Sequence, residues 1–127
     1  MAHRTVILSD YDGLPEQSKA QAEKFLKKIL EQERNNSQYR IRFSPELNGY
    51  CRRGYRGLNY QRILAIARSG TVIGKEAPAE KTREWRYILW GSSAGKRFKE
   101  RCMLIFSLES EKSVVFITCY PIKRKEI

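Results

Sequence analysis

Between Pro15 and about Arg34, apolar residues recur at three- and four-residue steps: Ala22, Phe25, Leu26, Ile29 and Leu30, with charged side chains filling the gaps. One apolar stripe at that period predicts an amphipathic helix of about five turns. Pro15 is tolerated in its first turn, and Asn35, Asn36 and Ser37 close it. Ahead of it, Thr5 to Ser9 is short, β-branched and apolar and reads as a strand, broken by Asp10, Asp12 and Gly13. Tyr39 to Phe43 alternates arginine with apolar side chains, as a short edge strand or an extended arm would. Ser44 to Gly57, with Pro45, Gly49, Gly54 and Gly57, reads as a loop rich in arginine and tyrosine. Asn59 then suits the N-cap of a second, short helix carrying Ile63, Leu64, Ile66 and Ala67, with Gly70 as a left-handed C-cap. Strands are expected at Thr71–Lys75, Glu84–Trp90, Arg101–Leu108 and Val114–Tyr120, joined by links short enough to favour an antiparallel meander. The whole predicts one α+β domain over residues 1–127, in which an N-terminal strand and two helices pack on a C-terminal antiparallel β-meander of about four strands.

The last hairpin carries the most specific expectation. If Leu108 faces Ser113, Cys102, Leu104, Phe106 and Leu108 share an apolar face with Cys119, Ile117, Val115 and Ser113, and that face meets the helices. The opposite face then gathers Arg101, Thr118 and Tyr120 at its open end, beside the basic tail Lys123, Arg124 and Lys125. A guanidinium, a hydroxyl and a phenol together bind a phosphate and move a proton, although the same three residues also describe an ordinary polar strand end. Trp85 and Trp90 fall on opposite faces of their strand, so one belongs to the core and the other to a surface.

Charge sharpens this picture. Residues 1–38 hold equal numbers of basic and acidic side chains, so the net charge of +11 lies entirely downstream. From Tyr39 to Arg68 every basic residue is arginine: Arg40, Arg42, Arg52, Arg53, Arg56, Arg62 and Arg68, interleaved with Tyr39, Phe43, Tyr50, Tyr55 and Tyr60. The arginine fork matches phosphate and stacks on bases, and aromatic rings stack unpaired bases. RNA or another single-stranded nucleic acid is therefore the expected partner. An acidic protein is the alternative for the same basic face. The loop from Gly91 to Arg97 has three residues between its glycines and Arg97 after Lys96, so it is not a phosphate loop of the Walker type, and Lys96 and Arg97 read as a basic hairpin tip.

Other chemistries find little support. Cys51, Cys102 and Cys119 lack the close spacing of a zinc or redox motif, and the one histidine, His3, stands in the N-terminal segment, so no metal and no cofactor are expected. The hairpin register would set Cys102 opposite Cys119, as two buried thiols. No apolar run is long enough to span a bilayer and no secretory core follows Met1, so a cytoplasmic protein without membrane contact is expected.

The segment Tyr55-Arg56-Gly57-Leu58-Asn59-Tyr60 leads into a helix ending at Gly70, and later strands finish in Thr118-Cys119-Tyr120. Over roughly residues 50–120 this order resembles the RelE/ParE toxins and the wider group of barnase-like and colicin-like ribonuclease toxins. The resemblance implies an RNA-directed toxin with metal-independent endoribonuclease activity and an antitoxin as acidic partner. Tyr120 would be the general base or proton carrier, and Arg101 and Arg86 would stabilise the charge developing on phosphorus. Many relatives place a histidine at the start of the second helix, where this chain has Arg52, Arg53 and Arg56. A non-catalytic regulator or phage-type inhibitor on the same fold would keep the arginines without needing a poised Tyr120.

Overall fold

A computed structural model describes residues 13–79, 84–92 and 101–121, without the side chains of Arg56 and Pro121. The expected strand Thr5–Ser9 and the basic residues Lys96, Arg97, Lys123 and Arg124 lie outside the described residues. Three α-helices and a five-stranded mixed sheet make up the α+β architecture.

Helix α1 spans Lys19–Gln32 and buries Ala22, Leu26, Ile29 and Leu30, the stripe that the sequence pattern marks. It begins later than expected because Ser18 caps it, accepting from the Gln21 N–H at 3.1 Å. Pro15 stays outside the helix, and the Gln17 N–H is donated to the Tyr87 hydroxyl at 3.0 Å. Strand β1, Arg40–Phe43, settles the edge-or-arm alternative in favour of an edge strand, although it runs parallel to its neighbour instead of joining the meander.

The segment expected to be a loop contains helix α2, Pro45–Arg53. Ser44 caps it by accepting from the Leu47 N–H at 3.1 Å, Pro45 opens its first turn, and Gly54 ends it in the left-handed region at φ 64°. Proline at the first helical position and glycine just past the last are helix-end signals, here mistaken for loop punctuation. A 3₁₀ turn, Tyr55–Gly57, leads to helix α3, Tyr60–Ser69, which Asn59 caps as expected by accepting from the Arg62 N–H at 2.8 Å. Gly70, however, is not a left-handed cap: its backbone is extended, at φ −87° and ψ 170°. Glycine is needed there for space, since a Cβ would lie 2.2 Å from Leu89 Cδ2 and 2.8 Å from the Trp90 carbonyl oxygen. Lys27 reaches across from α1 instead, donating to the carbonyls of Ala67, Arg68 and Gly70 at 2.7, 2.6 and 2.8 Å.

Strands β2 (Thr71–Glu76), β3 (Arg86–Ser92), β4 (Arg101–Ser110) and β5 (Ser113–Pro121) form the expected antiparallel meander, in the order β1-β5-β4-β3-β2. The helices cover one face, where Leu89, Leu104, Phe106, Val114 and Phe116 are buried against Leu26, Ile29, Leu47, Ile63 and Ile66.

The hairpin register differs from expectation. Leu108 faces Val114 and Ser110 faces Ser113, so Val114 and Phe116, not Ser113, Val115 and Ile117, point to the core. Burying Val114 and Phe116 removes far more apolar area from water than burying Ser113 and Val115 would. An irregularity at Ile117 then restores the expected alternation, so Thr118 and Tyr120 face outward. Cys119 consequently lies opposite Leu104, and Cys102 opposite Pro121, rather than each other.

Candidate nucleic-acid interface

The outer face of the sheet is organised in rows by strand register. Trp90, Met103 and Tyr120 stand side by side on β3, β4 and β5. One step toward the open end come Ser92 and Arg101, and one step the other way Ile88, Ile105 and Thr118. Arg101, Thr118 and Tyr120 therefore share one face at one end of the sheet. Tyr120 is opposite Met103 and diagonal to Arg101, and its hydroxyl donates to Met103 Sδ at 2.8 Å. A thioether is a weak acceptor, so this bond is easily exchanged for a better one.

Arg86 does not join them. It pairs with Ser107, six residues along β4 from Arg101, which at ~3.3 Å per residue is about 20 Å away. Its guanidinium lies 3.3 Å from Glu84, a carboxylate that also accepts from the Ser107 hydroxyl at 3.1 Å. No single phosphate reaches both arginines.

A second basic surface forms where β1, α2, the 3₁₀ turn and the start of α3 meet. The left-handed Gly54 turns the chain back on itself, so the C-terminal arginines of α2 and the first residues of α3 converge on one corner. The rings of Tyr50 and Tyr55 are 4.8 Å apart, with the Arg53 guanidinium 5.8 Å from the Tyr50 ring centre. The Tyr60 ring meets Phe43 edge-on at 4.9 Å, and its hydroxyl donates to Asn48. Phe43 in turn packs on buried Phe116, which anchors this corner to the core. Tyr55 is 44% and Tyr60 37% exposed, and Arg52 and Arg53 are also exposed. Arg62 folds back to donate to the Gly57 carbonyl at 3.1 Å. The corner's one acid, Glu46, accepts from the Tyr50 hydroxyl at 2.7 Å, and among the described residues no carboxylate pairs with Arg52 or Arg53.

The arginines of β1 are placed differently. Arg42 is bound to Glu109 at 2.7 Å, and Glu109 also accepts from Ser113, so this guanidinium is already committed. Arg40 is exposed on the same strand. Arg56 lies in the 3₁₀ turn.

The three thiols are all buried. A hydrogen bond with Cys102 and then burial push the Cys119 thiol well above its ordinary range, with the Arg62 cation pulling weakly the other way. Burial likewise raises Cys51. Thiols held protonated out of water are poor nucleophiles. Among the described residues, no three His, Cys, Asp or Glu side chains are grouped so as to hold a metal ion, and no helix is long and apolar enough to cross a membrane.

Of the features that matter here, Tyr50 and Tyr60 were visible in the arginine–tyrosine alternation, but their roles depend on α2. The Trp90–Met103–Tyr120 row was hidden, because it exists only in the observed register. Set against protein-family models, curated proteins and solved structures, the chain matches none of them.

Proposed function

We propose that this protein binds single-stranded RNA, as a toxin-like or regulatory protein, through the arginine–tyrosine corner. The observation that carries this reading is the exposure of Tyr55 and Tyr60 beside Arg52 and Arg53, with no carboxylate neutralising those two guanidinium groups among the described residues. Exposed rings that bases can stack on, flanked by cations for the backbone, are what sequence-tolerant binding of a single strand requires. Burying those rings against one another would have served a core. Leaving them at the surface next to unneutralised charge serves an anionic, π-rich ligand.

Endoribonuclease activity is a second reading, favoured by the placement of Arg101, Thr118 and Tyr120 on one face at the open end of the sheet. In it, Arg101 holds the phosphate and Tyr120, released from Met103, takes the proton of the attacking 2′-hydroxyl. Arg86 has no part in that step because of its distance and its tie to Glu84. Incubating the protein with labelled single-stranded RNA in EDTA, wild type beside Tyr120→Phe, separates the readings. Retention of RNA by both with cleavage by neither supports binding alone. Cleavage by the wild type only supports the nuclease. Failure to retain RNA, combined with capture of an acidic polypeptide such as polyglutamate, would replace both with a protein-docking function of the kind an antitoxin would use.

A further inference from the structure

The row Trp90–Met103–Tyr120 is unusual for the solvent side of a sheet. Three large, partly exposed side chains stand in register across the three strands β3, β4 and β5, with Ile88 and Ile105 beside them and Arg101 at the end. Among the described residues no carboxylate stands in these rows: the acidic groups of this face, Glu76, Glu84 and Glu109, lie toward the other end, Glu76 opposite Arg86, Glu84 held by Arg86 and Ser107, and Glu109 by Arg42 and Ser113. The platform is thus apolar in its middle and positive at one end.

We infer that this row is a nucleobase platform, on which a base of the bound RNA stacks against Trp90 and Tyr120, with Arg101 meeting the adjoining phosphate. The inference rests on the RNA-binding reading and adds to it a subsite on the other face of the sheet from the arginine–tyrosine corner. Met103 suits this position because its flexible, polarisable side chain adapts to a flat ring. Base recognition on the central strands of an antiparallel sheet uses the same physics of π-faces and flanking cations wherever it occurs.

The test uses the full chain carrying Trp85→Phe, so that Trp90 is the sole tryptophan emitter and the platform itself is unaltered. The probes are an oligouridylate of roughly eight nucleotides, within the usual span of a single-strand site, and an oligomer of equal length made of abasic ribose phosphates. Trp90 emission should change with the oligouridylate and not with the abasic oligomer. Trp90→Phe in the wild-type background, which leaves a smaller ring in place, should weaken oligouridylate binding by about 5-fold, the lower limit for loss of a stacked ring, while leaving the abasic oligomer unaffected. If both oligomers bind equally, Trp90 emission is unchanged and Trp90→Phe binds like wild type, the platform is wrong and RNA binding stands. If neither oligomer binds, the RNA-binding reading fails and this inference fails with it.

Discussion

Replacing Lys27 by methionine keeps most of the side-chain stem and removes the ammonium that links α1 to the end of α3. In the wild type that group donates to three carbonyls, those of Ala67, Arg68 and Gly70, at 2.7, 2.6 and 2.8 Å. All three belong to the end of α3, where the helix dipole also favours a cation. A hydrogen bond to a charged group contributes about 1.5–3 kcal/mol net. Three such bonds do not triple that figure here, because one ammonium serves them all and its burial opposes them. Desolvation lowers the pKa of Lys27 from its ordinary value, and nearby Glu23 offsets this only in part. The expected loss is therefore about 2 kcal/mol, near the low end for one charged bond, with a fall in Tm of roughly 6–12 °C for a chain of this size. Urea denaturation followed by circular dichroism measures it. The linkage has a definite sign as well: the folded pKa lies below the unfolded one, so the unfolded chain binds more protons in the window below 10.5. Wild-type stability should gain as pH rises through that window, and Lys27→Met should lack this gain. A loss below about 0.5 kcal/mol, as for an ordinary surface substitution, would refute the reasoning.

Gly70→Ala should cost about 1–3 kcal/mol by overpacking, since its Cβ would press on Leu89 and on the backbone at Trp90; unchanged stability in urea would show that this contact relaxes freely. Ser44→Ala removes both the α2 cap and the bond from Ser44 to the Ile117 carbonyl at 2.6 Å, so a loss of about 1–2 kcal/mol is expected, together with weakened RNA retention because α2 positions the corner. Native Cys51 and Cys119, with thiols raised by burial and, for Cys119, first by Cys102, should resist alkylation at pH 8 and react promptly in denaturant, a contrast that mass spectrometry reads directly.

Elements with a strong period or a clear cap were legible in the chain. The α1 stripe, the Asn59 cap and the four meander strands follow from local pattern alone. Helix α2 was not, because Pro45 and Gly49 lie within nine residues that hold only two buried side chains, Leu47 and Cys51, too few to reveal a period. The parallel pairing of β1 with β5 joins residues some seventy positions apart, and no local signal encodes it. In the hairpin, the turn set Leu108 opposite Val114, one place from the expected register, and the extra residue at Ile117 added a second place, so Tyr120 came to face Met103 and the expected grouping with Arg101 became diagonal. The candidate site was legible as a composition of arginine and tyrosine; its division into a helical corner and a sheet face was not. Arg42 shows why: only the fold brings Glu109 to it from 67 positions away, whereas Glu84 stands two residues before Arg86 in the chain.

The central claim, that the arginine–tyrosine corner grips RNA phosphates, is tested most directly by the salt dependence of single-stranded RNA binding for wild type and the Arg52→Ala/Arg53→Ala double variant. Each phosphate contact on a single strand contributes a slope of about −0.7 in log K against log salt, so removing two contacts should flatten the slope by about 1.4 and weaken binding at low salt. Equal slopes and equal affinities for the two proteins would contradict the account.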